Sequence, residues 1–262
     1  MDKSLSSIHP YAKVAEDVVI DPFVCIHENV EIAEGCWIGS NVTIMDGARI
    51  GKNCKIFPGA VISAIPQDLK FKGEETTVEI GDNTTIRECV TVNKGTIAKG
   101  KTIIGNNCLL MAYVHVAHDC IIGNNVIINN SVGLAGEIIV DDYAIIGGMS
   151  GAHQFVRIGA HVMVGGGSLI GKDIPPYVLA GRNPLSFGGI NVIGLRRRGF
   201  TDDKIQEIQD IYRIIYQQNL NISNACDLVE KEVKASPERD EIINFIRNSK
   251  RGIIKGFSSV RD

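Results

Sequence analysis

Aromatic side chains make up only 6% of the 262 residues, with a single tryptophan, although 44% of the chain is apolar. A core of this composition has to be aliphatic, drawn from Ile, Val and Ala. No apolar run approaches the ~20 residues that a membrane helix needs. Met1-Asp2-Lys3-Ser4 opens no charged-then-apolar signal segment. Neither sign of charge dominates: 27 basic against 30 acidic residues leave −3, without the basic excess of a dedicated nucleic-acid binder. Charged residues at 22% exclude disorder as the main state. The expectation is a soluble cytoplasmic protein with no nucleic-acid partner and no stable membrane insertion. The 7 cysteines contain no CxxC pair, and their odd number fits neither a disulfide framework nor a zinc site.

What the chain has is a period. From Ile8, every sixth residue is aliphatic and β-branched through Val14, Ile20 and onward to Ile62. The frame resumes at Ile80, Ile86 and Val92, then runs from Ile104 to Ile170 with Leu110, Val116, Leu134, Ala152 and Val164 among its members. Four places after these residues stand small apolar ones, including Cys36, Cys54, Cys108 and Cys120, which act there as small hydrophobes. A hexad period is neither helical nor a plain strand alternation over such a length. It suits a short strand and a turn repeated around a three-sided prism, each coil built from three hexads. Gly or Asn directly after the aliphatic residue, as in Ile38-Gly39 and Ile122-Gly123, is expected to supply the turn. Each inward aliphatic contributes roughly 1.5–3 kcal/mol by burial, and the coils are stable only as a stack. The fold class is a β-solenoid, a parallel β-helix.

Two segments break the period: 63–79 and the basic stretch 93–101. Long loops on a rigid column are common carriers of binding function. The repeat stops after Pro175-Pro176. From Thr201, read as an N-cap, apolar residues recur at helical spacing, beginning with Ile205, Ile208 and Ile211. Ser223 is read as the cap of a second helix, and a third runs from about Glu238 to Gly252. The domain reading is a β-helix over 1–190 and a small helical domain over 191–262. The tail 192–262 carries 13 basic and 11 acidic residues, and the rest of the chain is acidic.

In the hexad frame His118 stands two places after inward Val116, with Gly136 and Gln154 above it at one-coil intervals. An imidazole, a bare backbone and an amide thus stack on one outward column, with Asp119 beside the imidazole and His153 beside Gln154. An imidazole titrates near neutrality and suits general-base work. A competing reading takes His115 and His118 as zinc ligands, which would suit a hydro-lyase. A third takes the column as a non-catalytic scaffold.

Several segments then resemble one family, the UDP-N-acetylglucosamine O-acyltransferases that use acyl carrier protein in lipid A biosynthesis. They include Gln67-Asp68-Leu69-Lys70-Phe71, Ala117-His118-Asp119-Cys120, His153-Gln154-Phe155, Val164-Gly165-Gly166, Asp173-Ile174-Pro175-Pro176-Tyr177 and Gly194-Leu195-Arg196-Arg197-Arg198-Gly199-Phe200. The resemblance implies a left-handed β-helix and a homotrimer with sites between subunits. It implies transfer of a 3-hydroxyacyl chain from acyl carrier protein to the 3-hydroxyl of UDP-GlcNAc, with no metal and no cofactor beyond the thioester donor. It implies His118 as general base, Asp119 as its support and the Gly136 N–H as oxyanion donor. It also implies Asp68, Lys70, His115, His153, Gln154, Asn191, Arg197 and Arg198 as substrate-binding residues. Gly166 matches the position that limits acyl length, and a glycine there leaves room for a long chain. A basic patch of Arg196, Arg197, Arg198, Lys250, Arg251 and Lys255 would suit acidic acyl carrier protein. The sequence departs from the family at Glu137 and Asn93, where histidines are usual, and at Ile193, where an acid is usual.

Overall fold

The computed structural model describes residues 5–256; Met1-Asp2-Lys3-Ser4, read above as opening no signal segment, and residues 257–262 lie outside that range. The hexads form a left-handed parallel β-helix. Most strands are two residues long, and each pairs in register with strands one coil away, such as Cys25 with Ser7 and Thr43. They make three sheets. Face one holds nine strands from Ser7–Ile8 to Leu169–Ile170, face two eight from Lys13–Val14 to Arg157–Ile158, and face three ten from Val19–Ile20 upward.

From Val18 onward the hexad aliphatics and the small residues four places on are both buried, so Cys36, Cys54, Cys108 and Cys120 lie in the apolar core as read. The turn chemistry differs from expectation. The left-handed backbone falls three places after the aliphatic residue, at Asn41, Asn53, Asn107 and Asn125, where asparagine tolerates positive φ. The glycine directly after the aliphatic residue answers to crowding between coils instead. A Cβ on Gly105 would lie 2.5 Å from the Gly123 carbonyl oxygen.

Above Gly166 the stack closes differently from its body. Val178–Gly181 adds to face three, and Ser186–Ile190 folds back on it antiparallel, a hairpin without hexad signal. Helix α1 (Val192–Arg197) follows, capped by Asn191, then α2 (Asp202–Gln217), capped by Thr201 as expected. The cap of α3 (Ile222–Glu232) is Asn221, whose side chain accepts from the Asn224 N–H; Ser223 is already inside the helix. Helix α4 (Pro237–Arg247) is capped by Ser236 and ends well before Gly252. Among the described residues no helix is long and apolar enough to cross a membrane.

Candidate active site

Both breaks in the repeat leave the prism along one edge. The first loop runs from the face-one strand Val61–Ala64 to the face-two strand Thr77–Ile80, and the second from Thr91–Asn93 to Lys101–Ile104. Strand pairing therefore trims the expected loops to 65–76 and 94–100. His118, Gly136 and Gln154 follow successive face-one strands and lie on the same edge above the loops.

His118 is displayed at the turn rather than packed in the apolar core, but it is not open to solvent: it is 9% exposed. Its Nδ1 lies 2.8 Å from Asp119 Oδ2. Asp119 is fully buried. Its Oδ2 also accepts from Thr96 Oγ1 at 2.6 Å, and its Oδ1 accepts from the Thr96 and Lys99 N–H groups at 3.0 and 3.2 Å. An ionised carboxylate only accepts, so it holds the proton of His118 on Nδ1 and leaves the Nε2 lone pair available. That side of the ring covers Gly136: a Cβ there would lie 2.6 Å from both Cε1 and Nε2. Among the described residues nothing accepts a hydrogen bond from the Gly136 N–H. A ring nitrogen and a backbone amide therefore lie beside each other, the kinds of group needed to deprotonate a nucleophile and catch an oxyanion.

The other expected residues divide by edge. His115 faces out from face one, its Nδ1 2.7 Å from Thr91 Oγ1, and burial holds its imidazole below the ordinary histidine range. Above it Gly133 and Gly151 leave the strand surface bare. His153 is exposed, with Nδ1 3.1 Å from the Gln154 carbonyl oxygen. In the first loop Asp68 Oδ1 accepts from the Lys70 N–H at 2.9 Å, a local turn that leaves the Lys70 side chain exposed.

Gly166 lies elsewhere, on the edge between faces three and one. Asn191, Arg197 and Arg198 belong to the edge between faces two and three. Arg198 donates from Nη2 to the Tyr143 carbonyl at 2.9 Å, and its Nη1 is buried without a partner among the described residues. Asn191 holds the start of α1: Oδ1 accepts from the Gly194 N–H and Nδ2 donates to the His161 carbonyl. Its carboxamide is thus already engaged, a structural use the sequence did not suggest, because a six-residue helix carries little periodic signal. His161 stacks between Tyr143 and Tyr177, and burial, with Arg198 beside it, pushes its imidazole down to about 4.

Among the described residues no three His, Cys, Asp or Glu side chains are grouped to hold a metal. His115 and His118 turn their Nδ1 atoms to Thr91 and Asp119. Glu137 takes left-handed backbone and donates its N–H to the His118 carbonyl, and Ile193 is largely exposed. Asn93 is buried and donates from Nδ2 to the Ile65 carbonyl, tying the roots of the two loops together. The basic patch is reduced: Arg196 pairs with Asp202, and Arg251 donates to the Gly171 carbonyl, while Arg197, Lys250 and Lys255 are exposed. Sequence reasoning missed Thr96 and Lys99. Hexad counting could have found them, since it puts the second loop on the His118 edge, one coil below.

Comparison with known proteins bears on the chain as a whole. A family model described as UDP N-acetylglucosamine O-acyltransferase, domain 2, matches residues 173–254. A bacterial transferase hexapeptide model matches 101–136, and a GMPPB C-terminal domain model matches 4–103. The acyl-[acyl-carrier-protein]–UDP-N-acetylglucosamine O-acyltransferase of Chlorobaculum parvum is 54% identical over 202 residues, 76% of each chain. Its counterpart in Paracidovorax citrulli is 48% identical over 199 residues, 74% of this chain and 76% of that one. The solved UDP-N-acetylglucosamine acyltransferase of Bacteroides fragilis is 59% identical and superposes with a TM-score of 0.96, covering 97% of this chain and all of that one. That of Francisella novicida is 41% identical with a TM-score of 0.94, covering 96% of this chain and 93% of that one. Identity of this extent, along a shared column and a shared helical end, means that the chain belongs to the family of acyl-[acyl-carrier-protein]–UDP-N-acetylglucosamine O-acyltransferases.

Proposed function

We propose that the protein moves a long 3-hydroxyacyl chain from acyl carrier protein to the 3-hydroxyl of UDP-GlcNAc by direct attack, the first step of lipid A biosynthesis. The observation that carries this reading is the His118 ring, oriented by Asp119, with Nε2 over Gly136. Nε2 takes the proton of the sugar hydroxyl as its oxygen attacks the thioester carbonyl. The Gly136 N–H stabilises the resulting oxyanion. Collapse breaks the carbon–sulfur bond, and the imidazolium returns its proton to the departing thiolate. No acyl-enzyme forms, so the chemistry calls for no cofactor beyond the thioester itself.

Asp68 and Lys70, on the loop below His118, would hold the sugar, and His115, His153 and Gln154 would line the path beside it. Arg197 and Arg198 would hold the nucleotide, with the buried Nη1 of Arg198 as a ready donor. Asn191 would act there through its hold on α1. Gly166 would set acyl length. These groups occupy three different edges of one prism and do not converge within a chain, which supports a homotrimer with sites between subunits. Arg197, Lys250 and Lys255 would meet acidic acyl carrier protein, and a cytoplasmic location goes with this reading.

The test is a steady-state assay with UDP-GlcNAc and a hydroxyacyl carrier protein. His118→Ala is expected to lower turnover by about 10²–10⁴-fold with an unchanged circular dichroism spectrum. Retained turnover in that variant would remove His118 as the base.

A further inference from the structure

The second loop does more than close the edge below His118. It wraps the Asp119 carboxylate, and one residue makes two of the contacts. Thr96, 6% exposed, donates its N–H to Oδ1 at 3.0 Å and its hydroxyl to Oδ2 at 2.6 Å. Oδ2 is the same oxygen that faces His118 Nδ1 at 2.8 Å. The loop is itself fixed, since Thr76 Oγ1 donates to the Gly95 carbonyl at 2.6 Å. Thr102 Oγ1 accepts from the Asp119 N–H at 2.8 Å, so the turn is held on both sides.

We propose that Thr96 is a positioning residue that sets the basicity of His118 through the oxygen the two share. This rests on His118 being the base of the proposed reaction. A carboxylate oxygen that already accepts a short hydroxyl bond has less electron density for the imidazole. Without that bond the carboxylate stabilises the imidazolium more strongly, and His118 stays protonated to higher pH. The charged groups on the elements packed against the dyad are Lys94 and Lys99 of the second loop, Lys101 of the strand that carries Thr102, itself paired with Glu79 at 3.2 Å, and Glu137 of the coil above. Lys99 reaches the turn through Nζ, 3.2 Å from the Asp119 carbonyl oxygen. Thr96 Oγ1 also accepts from the Ala98 N–H at 3.2 Å, beside Lys99, a contact that Thr96→Ser keeps along with the one to Asp119. Burial keeps His115, the neighbouring imidazole, on its neutral side.

The experiment is a histidine-labelled NMR titration of the full chain without substrate, beside the pH profile of kcat/KM. Thr96→Val is expected to raise the His118 midpoint by about 0.5–1 pH unit and to carry the acid limb of kcat/KM upward with it. Thr96→Ser, which keeps the hydroxyl, should restore both. Thr96→Ala provides the same test should the valine variant fail to fold. A His118 midpoint that stays in place in a folded hydroxyl-free variant would overturn the proposal. The titration needs no turnover, so it decides the role of Thr96 even if the assay with UDP-GlcNAc shows none.

Discussion

A methyl group on Gly136 would sit 2.6 Å from two atoms of the His118 ring, so the ring and the added group cannot both keep their places. Gly136→Ala is therefore expected to lower kcat steeply while leaving the thermal midpoint almost unchanged, because the position is a turn outside the apolar core. Unchanged kcat would show that the ring does not work where it lies. Gly166 has more room, with the Gly148 carbonyl oxygen 3.1 Å from a Cβ placed there. Gly166→Met would place a long side chain on that edge and should shift the products toward shorter acyl chains, read by mass from a panel of carrier thioesters; an unaltered preference would remove that role. The stacking of His118 under Gly136 was legible because it needs only the one-coil interval. The burial of Asp119 was not, because it depends on where an irregular loop turns back. Asn191 shows the same limit: its residue type suits a ligand as well as a cap, and only the presence of α1 decides.

The start of α2 was legible because Thr201 is followed by Asp202 and Asp203, acids that suit a first turn, whereas α3 has no acid in its first turn and offers both Asn221 and Ser223 as caps. Asn221→Ala should cost about 1 kcal/mol in urea unfolding. Ser223→Ala, inside the helix and exposed, should stay within about 0.5 kcal/mol. A reversed order would return the cap to Ser223. The strands were legible as a class, since a hexad of inward aliphatics admits few other structures. The fold-back of Ser186–Ile190 was not, since two of its five residues are glycine and no inward–outward alternation marks it. The turn residue lies two places later than the sequence reading puts it. Glycine beside the aliphatic residue reports how closely two coils approach, whereas asparagine two places later carries the left-handed backbone.

At the junction between column and helices one imidazole is displaced far from its ordinary range. His161 is held down to about 4 against an ordinary 6.5, chiefly by burial. The unfolded chain binds that proton near its ordinary value and the folded chain does not. The corresponding stability is complete above the ordinary value and is lost as pH falls toward about 4. His161→Phe keeps an aromatic ring between Tyr143 and Tyr177 and removes the proton site. Its thermal midpoint should fall less than the parent's between about pH 7 and about pH 5. Equal falls would place the acid sensitivity elsewhere.

The common edge of the two loops and His118 makes the column behave like a dial. A whole extra coil inserted between Ile104 and Val116 would lift His118 away from Thr96 yet keep it pointing the same way. A single extra hexad would rotate everything above it by one face, carrying the imidazole out of sight of both loops while every inward aliphatic stayed packed. Length changes in such a molecule are therefore judged by their remainder after division by a full coil, and a folded but silent protein is the expected product of the wrong remainder.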